Sequence, residues 1–365
     1  MNNTVVTFGE IMGRFNPEGF LRLSQVCPGS LNLSFGGAEA NVAVSVSILG
    51  GNTRFVTALP KHAVAEACVR EMRGLGVDCE HILRTETGRL GLYFVETGAN
   101  QRPSRVIYDR EGSSISLTMP DQYNWETIFS GANWLHVSGI TPALSKIAAD
   151  STLVAVREAS KRGIKVSCDL NFRKALWKWD QNCSSKDLAK RTMTEILPFV
   201  DVVIANEEDA SDVLGINAGH TDVESGELAL DKYPDVAAAI VAQFPNVKKV
   251  AITLRESLSA THNAWGAMFY DTSTKESVFA PQENGIYKPY QIRAIVDRVG
   301  GGDSFAAGLI YASNYAKFSG DDQAVLAFAV ASSCLAHSNE GDFNQTSFEE
   351  AANLAGGSAS GRVVR

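Results

Sequence analysis

A chain of 365 residues, 45% hydrophobic and 20% charged, is globular and long enough to bury a large core. Its formal net charge of −8 excludes a general nucleic-acid or anionic-membrane binder, which needs a basic face, but still allows one anionic ligand held by a few local cations. The six cysteines form no CxxC pair and the six histidines no HxxxH pair, which points to free thiols in a reducing compartment and away from zinc.

The start, Asn2-Asn3-Thr4, carries no basic stretch or cleavage site, and no apolar run has the length of a membrane span, so a cytoplasmic location is expected. Short β-branched or apolar runs follow at Val5–Phe8, Arg54–Thr57, Trp134–Val137, Lys165–Cys168, Val202–Ala205 and Val250–Thr253. Between them lie helical patterns at Ala40–Leu49, Ala63–Gly74, Ile147–Arg162 and Val236–Phe244. This alternation predicts βαβ units and a mostly parallel sheet covered on both faces, with ligands beyond the carboxyl ends of its strands. Residues 12–35 and 88–112 break the pattern: they are rich in strand formers with no helix between neighbouring strands. They read either as a small lid sheet that excludes water from a substrate or as an edge extension of the main sheet. The end, Gly356-Gly357-Ser358-Ala359-Ser360-Gly361, reads as a flexible tail over 356–365.

The most informative stretch is Asp297-Arg298-Val299-Gly300-Gly301-Gly302-Asp303, followed at once by the apolar Phe305–Tyr311. Glycines opening a buried helix leave N–H groups free and aimed outward, where the helix dipole favours a phosphate. Asp303 then stands where phosphoryl transfer needs a base; a turn and helix cap is the plainer alternative. Far upstream, Gly36-Gly37-Ala38-Glu39-Ala40-Asn41 sets two glycines ahead of another helix, with an Asn able to hold hydroxyls. No Walker sequence and no Gly-x-Gly-x-x-Gly after the first strand is present, which disfavours P-loop enzymes and nicotinamide dehydrogenases.

Together the two glycine motifs resemble both signatures of the PfkB (ribokinase-like) family of carbohydrate kinases. Arg298 stands where that family usually has Thr, and Gly301 where it has Ala. Over nearly the whole chain the likeness narrows to the 2-keto-3-deoxygluconate kinases. It is carried by Phe8–Met12, Gly88–Tyr93, Arg102–Arg110, Ser138–Leu144, Asp169–Arg173, Ala205–Asp209 and Gly341–Asn344.

The resemblance implies a three-layer α/β/α sandwich with a small β-sheet lid, spanning residues 1–355. It also implies ATP-dependent phosphorylation of a sugar acid, or of another acceptor such as fructose; a non-catalytic sugar-binding relative is the remaining alternative. ATP with Mg2+ is the implied cofactor set, a monovalent cation being left open. Asp303 is the implied catalytic base, with Gly300, Gly301 and Gly302 as its anion hole. Gly36, Gly37, Asn41, Tyr93, Tyr108, Arg110, Arg173 and Asp342 are the implied substrate contacts. Arg suits a carboxylate because its fork makes paired hydrogen bonds, although strand tyrosines also serve packing and arginines surface ion pairs. Asn171, Asn206, Thr253, Arg255, Gly300 and Gly302 are the implied ATP contacts, and Asp209 or Glu208 an indirect metal residue. Unpaired lid edges suggest a homo-oligomer joined through the lid.

Overall fold

Neighbouring residues on each central strand pack to opposite sides of one sheet, as a strand covered on both faces requires. The structure, a computed structural model, describes residues 3–206, 208–216, 230–318 and 320–357. The strands are β1 (Thr4–Phe8), β2 (Met12–Asn16), β3 (Asn32–Gly36), β4 (Asn52–Val56), β5 (Ala58–Pro60), β6 (Leu83–Thr85) and β7 (Gly91–Glu96). They continue as β8 (Arg105–Asp109), β9 (Ala132–Ser138), β10 (Lys165–Asp169), β11 (Val202–Asn206), β12 (Lys249–Ser259), β13 (His262–Asp271) and β14 (Glu276–Ala280). The main sheet runs β14-β13-β12-β11-β10-β9-β1-β4. Its strands are parallel from β4 to β12, and β13 and β14 are antiparallel.

The long helices are α1 (Ala38–Ile48), α2 (Ala63–Gly74), α3 (Lys146–Lys161), α4 (Ser185–Ile196), α5 (Tyr233–Gln243), α6 (Gly301–Asn314), α7 (Asp322–Ala336) and α8 (Phe348–Ala355). Val5, Trp134, Ile204 and Ala251 face α1, α6 and α7; Val6, Leu135, Val203 and Val250 face α3, α4 and α5. Every run expected to be a strand lies in this sheet, but β12 continues to Ser259, beyond the expected Thr253, because β13 folds back along it. α6 is buried on nearly all sides, from Ser304 to Ile310, which accounts for its lack of a polar face.

Strands β3-β2-β7-β8 form a separate sheet and not an extension of the main one. β7 and β8 pair antiparallel, with Tyr93 opposite Tyr108, while β2 joins β7 in parallel. All of β8 is exposed. None of the six cysteines is in a disulfide, and among the described residues no helix is long and apolar enough to cross a membrane. Apart from Gly356 and Gly357, the expected tail lies outside the described residues.

From β1 the chain passes through the small sheet to β4 on one side of β1, then crosses back to β9 on the other. Such a reversal opens a crevice at the carboxyl ends of the strands. Asp169 ends β10, Asn206 ends β11, and Thr253 lies beside Asn206 on β12.

Candidate active site

Gly300 caps α6 with φ 82°, in the left-handed region, and a Cβ there would lie 2.5 Å from the carbonyl oxygen of Asp342. Only glycine meets both conditions, so the loop can turn sharply into the helix. The N–H groups of Gly301, Gly302 and Asp303 fall in the first helical turn, where no carbonyl of the helix reaches them. The space beside Gly302 is open. Asp303 sits there with part of its surface facing a cavity of about 340 Å3, a size suited to a small molecule.

Gly37 starts α1 so close to β2's approach that a Cβ would strike the Glu10 carbonyl oxygen at 2.0 Å. This brings Asn41 to the floor of the cavity. Its Oδ1 accepts from the Gly37 N–H (3.1 Å), and its Nδ2 donates to Asp303 Oδ2 (2.6 Å) and Asp342 Oδ2 (3.2 Å). Asp342 Oδ1 in turn accepts from Tyr93 Oη (2.5 Å) and Arg14 Nη1 (2.7 Å). The other arm of Arg14, which is only 1% exposed, pairs with Asp297. A buried chain of contacts therefore leads from the small sheet to Asp303.

Burial pushes Asp303 up to about 7; the Asn41 hydrogen bond opposes this, the charges of Asp342 and Glu39 add to it, and Arg173 works against it. Burial also raises Asp342, against the pull of Arg14, Tyr93 and Asn41. The Tyr93 phenol is held well above its ordinary value, chiefly by burial, so it keeps its proton and donates. Replacing Arg14 with Met is expected to cost about 3–5 kcal/mol of stability, because two buried carboxylates lose their cation. The deficit should shrink on acidification as the raised carboxyl of Asp342 takes up a proton. Urea melts at pH 8 and pH 5 check this, and a cost below about 1 kcal/mol at pH 8 would remove Arg14 as the anchor.

The walls gather most of the remaining expected residues. Tyr108, Arg110, Asn171, Arg173, Asn206, Asp209, Thr253 and Arg255 all line the cavity. Tyr108 stacks on Tyr93 at 6.1 Å and lies under the Arg110 guanidinium at 5.5 Å. Arg110 arrives already paired, with Nε and Nη2 on Glu10 Oε2. Arg173 is exposed and its Nη1 donates to the Phe172 carbonyl oxygen; it forms no salt bridge among the described residues, and its charge acts on the cavity carboxylates Asp169, Asp209 and Asp303. Asn171 adopts φ 35°, donating its N–H to Asp169. Asn206 Oδ1 caps the N–H groups of Glu208 and Asp209.

Two of the expected residues lie apart from the cavity lining. Gly36 does not line the cavity; a Cβ there would meet the Asp342 carboxylate at 2.3 Å, so it backs that side chain. Glu208 is exposed and outside the cavity, whereas Asp209 faces it. The Asp209 carboxylate accepts from the Phe172 and Asn206 N–H groups, and burial raises its pKa. Among the described residues no group of three His, Cys, Asp or Glu side chains converges as a metal site. Asp169 was not expected: it lines the cavity, offers one carboxylate oxygen without a donor among the described residues, and is raised well above its ordinary value by burial and by Asp209 and Asp303. Arg14 was missed too, since a single Arg in a strand reads as solvent-facing until its partners at 297 and 342 are seen.

Residues 2–347 match the family model described as pfkB family carbohydrate kinase. The 2-dehydro-3-deoxygalactonokinase of Haloferax volcanii is 33% identical over 231 residues, 63% of this chain and 69% of that protein. The 2-dehydro-3-deoxygluconokinase of Bacillus subtilis is 26% identical over 310 residues, 85% of this chain and 83% of that one. The crystal structure of 2-dehydro-3-deoxygluconokinase from Thermotoga maritima superposes with a TM-score of 0.86 at 41% identity, covering 97% of this chain and 99% of that chain. A fructokinase from Xylella fastidiosa with bound ATP shares the fold, at TM-score 0.75 and 21% identity over 99% and 100% of the two chains. An aspartate at the mouth of a glycine-capped helix, a small sheet hung over it, and likeness along almost the full length make this chain a member of the pfkB family of carbohydrate kinases.

Proposed function

We propose that the protein transfers the γ-phosphate of ATP to the terminal primary hydroxyl of 2-keto-3-deoxygluconate, giving 2-keto-3-deoxy-6-phosphogluconate and ADP. The observation that carries this reading is the exposed Arg173 guanidinium, which lines the same cavity as Asp303 and forms no salt bridge among the described residues. A carboxylate-bearing acceptor satisfies that cation, whereas a neutral sugar leaves it unpaired. The names of the Thermotoga maritima and Bacillus subtilis relatives agree with it.

In this reading the acceptor lies between the small sheet and the main sheet, against Gly37, Asn41, Tyr108, Arg110 and Arg173. Tyr93 and Asp342 shape its seat from behind. Asp303 takes the hydroxyl proton as the oxygen attacks the γ-phosphorus, and the bond to the β,γ-bridging oxygen breaks to release ADP. The N–H groups of Gly301, Gly302 and Asp303 hold the charge that grows on the moving phosphoryl group. The nucleotide phosphates lie near Asn171, Asn206, Thr253 and Arg255. Mg2+ keeps most of its water and binds chiefly to phosphate, so the open oxygen of Asp169 would hold one of its waters, with Asp209 behind it. Bound there, the ion neutralises phosphate charge.

Residues 1–355 act as one kinase domain, with 12–35 and 88–112 as its lid. Exposed Val106 and Ile107 on the β8 edge and Leu33 on the β3 edge support pairing of two lids in a cytoplasmic homodimer. A solution mass of one chain would remove the dimer.

The function is tested by ADP release with 2-keto-3-deoxygluconate, its C4 epimer, fructose and ribose. The sugar acids are expected to exceed the neutral sugars at least about tenfold in kcat/KM. The Haloferax volcanii relative makes the C4 epimer the second reading. Preference for fructose would overturn the proposal, and binding without ADP formation would make the protein a non-catalytic relative.

A further inference from the structure

Arg298 stands where the wider PfkB pattern has Thr, and Arg255 follows a strand where that wider pattern has a glycine-containing turn, although it resembles the 2-keto-3-deoxygluconate kinases. The fold brings both to the same cavity, beside Thr253 and the Gly300–Gly302 loop. Arg298 is half-buried and fixed: its Nη2 donates to the carbonyl oxygens of Ser259 (3.1 Å) and Ala260 (2.8 Å) and to Asn263 Oδ1 (3.3 Å). Its Nε is buried without a partner. Arg255 projects from β12 two residues beyond Thr253, opposite Trp265, and is exposed.

Neither arginine forms a salt bridge among the described residues. Burial lowers the pKa of Arg298, and the charge of Arg255 lowers it further; the one opposing charge is Asp297. Asp297 is itself engaged by Arg14, so it cannot neutralise the pair. Two cations thus line one concave wall without a salt bridge among the described residues, in the same cavity as the N-terminal turn of α6. Repulsion of this kind is relieved by an anion, and most by the most highly charged one.

We propose that Arg255 and Arg298 form a two-arginine clamp for the polyphosphate of the donor nucleotide, and that the clamp ranks donors by charge, with ATP above ADP above AMP. The clamp rests on the kinase reading of this cavity. It gives Arg298 a binding role in place of the usual Thr, and makes Arg255 act through its side chain where a glycine turn acts through its backbone. Guanidinium forks suit phosphate oxygens because they bind them through paired hydrogen bonds.

The test is calorimetric titration of ATP, ADP and AMP, without acceptor, into the wild type, Arg255→Met, Arg255→Lys, Arg298→Met and the double variant, at two salt concentrations. Arg255→Met is expected to weaken ATP about tenfold or more and AMP less than about twofold, with a shallower salt dependence of ATP binding. Arg255→Lys should recover part of the loss, because charge returns without the fork. The double variant should lose less than the product of the single losses, since each removal also relieves repulsion. ATP affinity within twofold of wild type in Arg255→Met, or equal losses for ATP and AMP, would overturn the clamp. Arg298→Met also cuts the ties to Ser259 and Ala260; should it fail to fold, the exposed Arg255 decides the matter. A wild type that does not bind ATP would sink the kinase reading itself; variants that bind as well as a competent wild type sink only the clamp.

Discussion

Asp303→Asn is expected to lower kcat about a thousandfold or more while leaving ATP affinity within a few-fold of wild type. The amide keeps the shape of the side chain and an acceptor for the Asn41 Nδ2 group, so the floor of the cavity is preserved. It cannot take the hydroxyl proton. In the wild type kcat/KM should fall about tenfold per pH unit below about 7, where the raised carboxyl of Asp303 becomes protonated. The same shift has a stability consequence of opposite sense to most carboxylates. Its folded-state value of about 7 lies above the ordinary 3.8, so the folded protein is favoured while the group is protonated. That contribution is lost as pH rises through about 7, and it is present in full only below about 3.8. The Asn variant should therefore melt higher than wild type at pH 8, with the gap closing toward pH 4. A variant that melts lower at pH 8 would mean that its inactivity reflects damage to the fold; near-normal turnover would remove Asp303 as the base.

Arg173→Ala is expected to cost about a hundredfold in kcat/KM on 2-keto-3-deoxygluconate and only a few-fold on fructose. Among the arginines on the acceptor side, Arg110 already shares its charge with Glu10, so Arg173 bears most of the unspent positive charge. Its loss also removes a cation that lowers the pKa of Asp303, so the acid limb of the pH profile should move upward. Steady-state kinetics on both acceptors from pH 6 to 9 checks the two effects together. Equal losses on the acid and the neutral ketose would count against carboxylate recognition.

The main sheet was legible because its strands are short, apolar and separated by helices of matching length. The separate lid was legible only as a break in that rhythm. Asp303 and Asn41 were recognisable because glycines announce a helix opening onto open space. Arg14 was not, since nothing near position 14 asks for a cation; its justification lies in Asp297 and Asp342, which the chain reaches only after the whole main sheet is built. The commitment of Arg110 to Glu10 was hidden for the same reason. Gly36 was expected to contact the substrate; a Cβ there would meet the Asp342 side chain, a neighbour that only the folded chain supplies. Residue types and spacing expose local geometry; which of two neighbouring carboxylates a cation satisfies is a property of the folded chain.

Arg14 and Tyr93 belong to the small sheet, yet the groups they hold, Asp297 and Asp342, belong to the loops around α6. Acceptor preference is therefore not a detachable module. A chimaera that imports β2 and β7 from a relative, without that relative's residues at 297 and 342, would strand charge at the seam and disturb Asp303 through Asn41. Redesign of this enzyme for a new sugar has to graft the sheet and its distant sockets as one unit.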